Sequence, residues 1–328
     1  MKLMGEQLLV GLGLTLVLTP ALIFVSVLLK LYEHPNERRI NSTPVPTAGG
    51  LGLYVAFFIA AFWYRHPNLP AYLTGATITV LTGLFDDYRG GLSAGRKFLG
   101  QIAAVIAFLA LSSSSNYLIA AVFMVSVINI TNFIDGLDGQ ATGIILIAAV
   151  ALFIWTYTFG YSDIAGLLMI LTGACLGFLA FNFHPAKIFL GDTGAMFLGF
   201  TFAALAHDSV LSADMAYNLP LLVLILSVPT LDTFCAIVRR VQKGVPVYQA
   251  DRQHFHHCLL ELGLGQRQVA LIAYLMTLTT STLALFLVRF RNWNLLLVLP
   301  VVALVSLYGA RRIGMINHLP VKSERRVL

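Results

Sequence analysis

Between Glu6 and Lys30 the chain carries no charged side chain. That run is long enough for the roughly 20 apolar residues that cross a bilayer core. In hydrocarbon there is no water to satisfy backbone amides, so they must pair within the segment, and a helix is the local way to do it. Ten further apolar runs follow, near 47–64, 71–85, 98–113, 117–133, 141–160, 164–183, 193–207, 218–238, 269–289 and 292–310. Only 11% of the 328 residues are charged, where a water-facing surface calls for about 25%. The expectation is an all-α, polytopic integral membrane helical bundle of about 10–11 transmembrane helices. The first run lacks a small-residue cleavage site and reads as a retained helix, not a signal peptide.

No internal repeat or low-complexity stretch interrupts the pattern, and the longest polar segment is 239–268. Residues 1–328 therefore read as one membrane domain. Cys175, Cys235 and Cys258 show no metal-ligand spacing, and no disulfide is expected.

The basic residues sort the loops. Counting eleven spans, 17 of the 21 Lys and Arg fall in the loops after odd-numbered spans, with only Lys2, Arg65, Arg289 and Arg291 on the other side. Positive charge marks the cytoplasmic face. The chain is thus expected in a bacterial cytoplasmic (inner) membrane, multi-pass, with its amino terminus outside and its active site facing the cytoplasm.

The same face collects the chemistry, in loops near 31–46, 86–97, 134–140, 184–194 and 239–268. Asp86 and Asp87 close the third run in LFDDYRGGLSAGRK, Asn132, Asp135 and Asp138 follow the fifth in NITNFIDGLDGQ, and Asn182, Lys187 and Asp192 occur in FNFHPAKIFLGDTG. Asp251, Arg252, His254, His256 and His257 occur in ADRQHFHH. Taken singly, each has a plain reading: solvated loop residues, turn glycines, a helix cap at GDTG, a lipid-headgroup patch of histidines. Their convergence on one surface favours a site, because carboxylates at membrane depth are costly to hold. Five acids crowded at one end of a bundle repel one another, and a divalent cation with oxygen ligands relieves the conflict. Mg²⁺ suits such a set because it takes one or two carboxylates and fills its shell with substrate phosphates and water. A helix beginning after GDTG would also point its free N–H groups at an anion.

These motifs resemble, in order and with family-like spacing from about residue 30 to 270, the polyprenyl-phosphate N-acetylhexosamine-1-phosphate transferases (the MraY–WecA–TagO superfamily). DDYRGGLSAGRK looks like the first acidic motif, with Lys97 ten residues after Asp87; NITNFIDGLDGQ and FNFHPAKIFLGDTG look like the second and third; ADRQHFHH looks like the histidine loop. The resemblance implies that Asp192 is the principal Mg²⁺ ligand (Mn²⁺ the alternate), with Asp86 and Asp87 beside the metal and the lipid phosphate, one of them as base. It implies that Lys97 and Lys187 hold substrate charge, that Asn132 and Asp135 shape the nucleotide site, and that Asp138, Asn182 and Phe189 contact uridine. His254, His256 and His257 would line the catalytic site. Gln140 and Ala195 stand where the family often has leucine and serine.

The DRQ lead of the histidine loop resembles the GlcNAc-1-phosphate branch and makes Arg252 a candidate sugar or phosphate contact. The implied reaction is UDP-GlcNAc plus undecaprenyl phosphate giving undecaprenyl-diphospho-GlcNAc and UMP, the first membrane step of an envelope polysaccharide such as teichoic acid or O-antigen. The alternatives are a phospho-N-acetylmuramoyl-pentapeptide transferase, a transferase for another UDP-N-acetylhexosamine and, outside enzymes, an ion-coupled transporter built around acids such as Asp232. Expected partners are UDP-GlcNAc, undecaprenyl phosphate, membrane lipid and a second copy in a homodimer, with no nucleic acid.

Overall fold

The computed structural model describes residues 2–29, 32–33, 44–89, 91–112, 117–212, 215–247, 249, 253–289 and 294–316. The described residues form thirteen α-helices: α1 (Lys2–Leu28), α2 (Gly49–Trp63), α3 (Leu69–Arg89), α4 (Ala94–Leu111), α5 (Tyr117–Phe133), α6 (Gln140–Thr158), α7 (Ser162–Asn182), α8 (Gly191–Ala206), α9 (Met215–Ile225), α10 (Ser227–Gln242), α11 (Phe255–Glu261), α12 (Gln266–Arg289) and α13 (Asn294–Arg312). A π-helical turn, His207–Leu211, continues α8. One short antiparallel pairing, β1 (Tyr32–Glu33) with β2 (Val45–Pro46), precedes α2.

Every one of the eleven apolar runs falls on helix, and the chain is a multi-pass, all-α membrane protein. Among the described residues, six helices are long and apolar enough to cross a bilayer by themselves: α1, α4, α6, α7, α8 with its π-helical turn, and α12. The shorter apolar helices α2 and α5 have 15 and 17 residues. The ninth run differs from the straight span expected. It breaks at Leu226 into α9 and α10, with an angle of 83° between Asn218–Ile225 and Ser227–Gln242. Pro229 accounts for the break: it has no N–H for Ile225 and its ring clashes with that carbonyl. The short α11 was not expected either, and it carries the histidine loop.

The bundle is organised around α8. Its residues are apolar or small on every side, which buries a helix all round, and each one from Thr193 to Ala206 is buried. It packs against α2, α3, α5 and α6. Phe197 anchors the α2 face, its ring centroid 5.8, 6.0 and 6.4 Å from those of Tyr54, Phe57 and Phe58. The helix therefore enters the bundle at Gly191, beside the carboxyl end of α3, and holds its first turn in register with the ends of its neighbours.

Candidate active site

Four helix ends meet at the first turn of α8. Asp86 and Asp87 close α3, Lys97 lies in the first turn of α4, Asn132 in the last turn of α5, and Asp192 opens α8. The α3–α4 connection is short because Ser93 starts α4 immediately after the turn at Gly91, whose φ of 120° suits glycine. Lys97 Nζ bridges Asp192 Oδ1 at 2.7 Å and Asp86 Oδ2 at 3.2 Å. The Asn132 side-chain amide donates to the same Asp192 oxygen, and Leu92 N–H donates to Asp86 Oδ1.

Asp86 and Asp87 do different things. Adjacent helical residues point about 100° apart, so one carboxylate turns to Lys97 and the other to α8. Asp87 accepts from Asp192 N (3.0 Å), Thr193 N (3.1 Å) and Thr193 Oγ1 (2.7 Å). It thus caps α8 from a neighbouring helix, satisfying amides that would otherwise be orphaned. The close approach needs Gly83: a Cβ there would lie 2.5 Å from Thr193 Cα.

Oxygens of Asp86, Asp87 and Asp192 lie within 4.8 Å of one another. Three carboxylates against one ammonium leave negative charge formally uncompensated. The donors are all oxygen, as a hard divalent cation prefers. Ligand oxygens on opposite sides of one Mg²⁺ lie about 4.2 Å apart, so carboxylates this close are of the spacing that one ion can bring together. Asp86 and Asp192 are the freer donors, since Asp87 is committed to α8.

A second group surrounds the turn between α5 and α6. Asp138 is buried and accepts from His184 Nδ1 at 2.7 Å and Ala186 N at 3.1 Å. Asn182, also buried, accepts from Thr142 Oγ1 at 3.0 Å and donates to Ile188 O at 3.0 Å. The start of α12 clamps these loops: Arg267 Nε donates to His184 O at 2.8 Å and Tyr274 Oη to Gly139 O at 2.6 Å. Half-buried Phe189 is held through its backbone by Pro46 and Gly49. Asp135 is half-buried, one turn beyond Asn132. Lys187 is exposed, at the rim of an apolar groove of about 640 Å³ walled by Leu176, Leu179, Ala180, Phe183 and Pro185.

The third group is the start of α11. His254 and His256 rings lie nearly parallel, 5° apart in plane and 5.9 Å between centroids, and His257 is 4.3 Å from His256. His256 packs on the second motif so closely that a Cβ on Gly136 would fall 2.3 Å from its ring. Burial first, then the neighbouring His257 and His254 rings, push the His256 imidazole down to about 3, with Asp232 pulling the other way. His254 lies 6.2 Å from Phe133. The histidines thus join the α5–α6 turn, which in turn joins the carboxylate group through Asn132. Arg252, a candidate from sequence, lies outside the described residues, as does Asp251.

Sequence reasoning placed His184, Thr193 and Arg267 in loops of this surface but gave no site role to them or to Tyr274 and Thr142. None stands out from its neighbours in one dimension; each is recruited by a helix far away in the chain. Asp232 had a signal, as the one acid in a long apolar run.

The chain matches the family model for glycosyl transferase family 4 over residues 69–210. That segment holds the acids of the carboxylate group, Lys97, Asn132 and the α5–α6 turn. The chain is 33% identical to a decaprenyl-phosphate N-acetylglucosaminephosphotransferase of Mycobacterium leprae (strain TN), over 82% of this chain and 81% of the relative. It is 29% identical to a probable undecaprenyl-phosphate N-acetylglucosaminyl 1-phosphate transferase of Bacillus subtilis (strain 168), over 94% and 92%. It is 28% identical to a phospho-N-acetylmuramoyl-pentapeptide-transferase of Staphylococcus saprophyticus, over 84% and 97%.

Proposed function

The chain belongs to glycosyl transferase family 4, among its polyprenyl-phosphate phosphotransferases, and from that premise we propose that it transfers GlcNAc-1-phosphate from UDP-GlcNAc to undecaprenyl phosphate. The observation that carries the reading is the meeting of Asp86, Lys97, Asn132 and Asp192 at four helix ends, beside the α5–α6 turn and the start of α11. Phosphoryl transfer asks for positioning and charge neutralisation more than for covalent chemistry, and this cluster is rich in both charge and fixed donors.

In the proposed reaction an oxygen of the lipid phosphate bonds to the phosphorus bearing the sugar. The bond from that phosphorus to the bridging oxygen breaks, and UMP leaves with that oxygen. Lys97 holds phosphate charge from between its two carboxylates. Asp86 is our choice for the group that takes the proton of an incoming monoprotonated lipid phosphate. Asp87 orients Asp192 by capping α8; its hydrogen bonds argue against a covalent aspartyl intermediate there, which would uncap the helix. Asp86 and Asp192 would hold Mg²⁺ or Mn²⁺, which when bound offsets charge on the diphosphate and the departing UMP. Asn132, Asp135, Asp138, Asn182 and Phe189 are proposed to receive the uridine nucleotide, and the histidines the sugar and its phosphate. Lys187 is proposed as an electrostatic guide for the anionic substrates. The cytoplasmic face of a bacterial inner membrane is the proposed location, on the strength of the basic-loop bias.

The test is an assay of purified protein with undecaprenyl phosphate and a panel of UDP-sugars, reading UMP and lipid-linked product. UDP-GlcNAc is expected to be used and UDP-MurNAc-pentapeptide rejected. Faster transfer from the pentapeptide donor would overturn the substrate, and no UMP release from any donor would overturn the reaction. Cysteines at Ser93 and Asn68 should be labelled from opposite faces; labelling from one face would break the topology.

A further inference from the structure

Asp232 lies in α10, 1% exposed, on the buried face that also carries Val228, Pro229, Cys235 and Ala236. Its two oxygens are both used at 2.8 Å: Oδ2 meets His254 Nδ1 and Oδ1 accepts from Phe255 N–H. The Phe255 bond caps the start of α11. A cap alone does not explain an acid here, since Ser or Asn serves that purpose without burying a charge. The bond to His254 does. A carboxylate on Nδ1 fixes the ring plane and keeps the proton on that nitrogen, so Nε2 is the nitrogen left to face a ligand. The ring is held on its faces as well, parallel to His256 and 6.2 Å from Phe133.

We propose that Asp232 is a positioning residue for transfer, holding the His254 imidazole by Nδ1 so that Nε2 meets the sugar-phosphate of the donor. The inference rests on the function proposed above. It also gives the break at Leu226 a use: turning α10 by 83° directs its buried acid to the histidine helix instead of along the line of α9.

The experiment is a double-mutant cycle on the purified full-length protein. Asp232→Asn keeps an oxygen for Phe255 N–H but presents an amide N–H to His254, reversing the tautomer. It is expected to lower kcat about 10- to 100-fold, by analogy with the loss when a metal-ligating histidine is deprived of its orienting partner. In a His254→Ala background the same change should cost almost nothing further, because residues acting as a unit are not additive. Full activity of Asp232→Asn would overturn the proposal. So would an undiminished loss in the His254→Ala background, which would mark Asp232 as structural only. Should Asp232→Asn not accumulate as folded protein, the cycle with Asp232→Glu decides in the same way. Wild-type protein inactive with every donor would instead refute the proposed function, so the two failures are distinguishable.

Discussion

The two ends of α8 each carry an aspartate in a polar cluster, and they are built oppositely. At the entering end, Asp192 shares one lysine with Asp86 and stands within reach of Asp87, so negative charge is in excess. At the far end, in the π-helical turn, each oxygen of Asp208 has its own partner: Tyr72 Oη donates to Oδ2 at 2.7 Å and His207 Nδ1 meets Oδ1 at 2.8 Å. Phe108 covers the His207 ring at 5.9 Å. The far carboxylate is matched by donors on both of its oxygens. The near cluster is open, with an excess of negative charge that a bound cation would offset. A protein tolerates such an imbalance where function requires it and offsets it elsewhere. Substitutions at the two ends should therefore separate activity from stability.

The largest effect is expected at Asp192. Asp192→Asn should lower transfer by at least about 10³-fold, the loss expected when several kcal/mol of charge stabilisation disappear. Its thermal midpoint in detergent should fall far less than its activity, because the amide oxygen still accepts from Lys97 and Asn132 and the lost ion pair is offset in part by the removal of a like charge. A parallel drop in midpoint and activity would show that Asp192 holds the fold rather than the substrate.

Gly83→Ala tests whether the near end depends on close helix approach. The new Cβ would meet backbone at Thr193 Cα, 2.5 Å away, where nothing can rotate aside. Overpacking of this kind costs about 1–3 kcal/mol, and displacing the first turn of α8 should remove most activity as well. An active Gly83→Ala with an unchanged midpoint would mean that α3 and α8 slide freely.

Asp208→Asn should do the reverse of Asp192→Asn. It can accept only one of the two present bonds, leaving a buried partner short, at about 1–3 kcal/mol of stability. Turnover of the folded fraction should be unchanged. Loss of turnover without loss of stability would give the far end a part in the reaction.

The smallest effect is a pH dependence at His256. Its folded value near 3 lies below the unfolded value of about 6.5. The sign follows: stability is fully present above about 6.5 and is lost as pH falls towards 3, by at most about 1.4 kcal/mol per pH unit. Between pH 7 and 5 the wild-type midpoint should fall more than that of His256→Gln. Identical slopes would mean that the ring is hydrated in the folded protein.

Much of this was legible in one dimension. The helices follow from apolar runs, because a bilayer leaves the backbone no local alternative. The candidate residues follow from polar groups at the ends of those runs, where their cost demands a reason. The break in the ninth run was not foreseen: 218–238 reads as one span, and only the structure shows the chain turning by 83° there. What the chain alone could not decide is which oxygen turns where. Asp86 and Asp87 are neighbours with the same chemistry, and only the packing of α3 on α8 sends one to Lys97 and the other to the amides of Asp192 and Thr193. Asp232 reads as a lone intramembrane acid until α11 folds back and His254 meets it, 22 residues away in sequence. The physical reason is range. Hydrophobic periodicity acts over a few residues along the chain, whereas a hydrogen bond is decided within about 3 Å in space, and only the assembled bundle sets those distances.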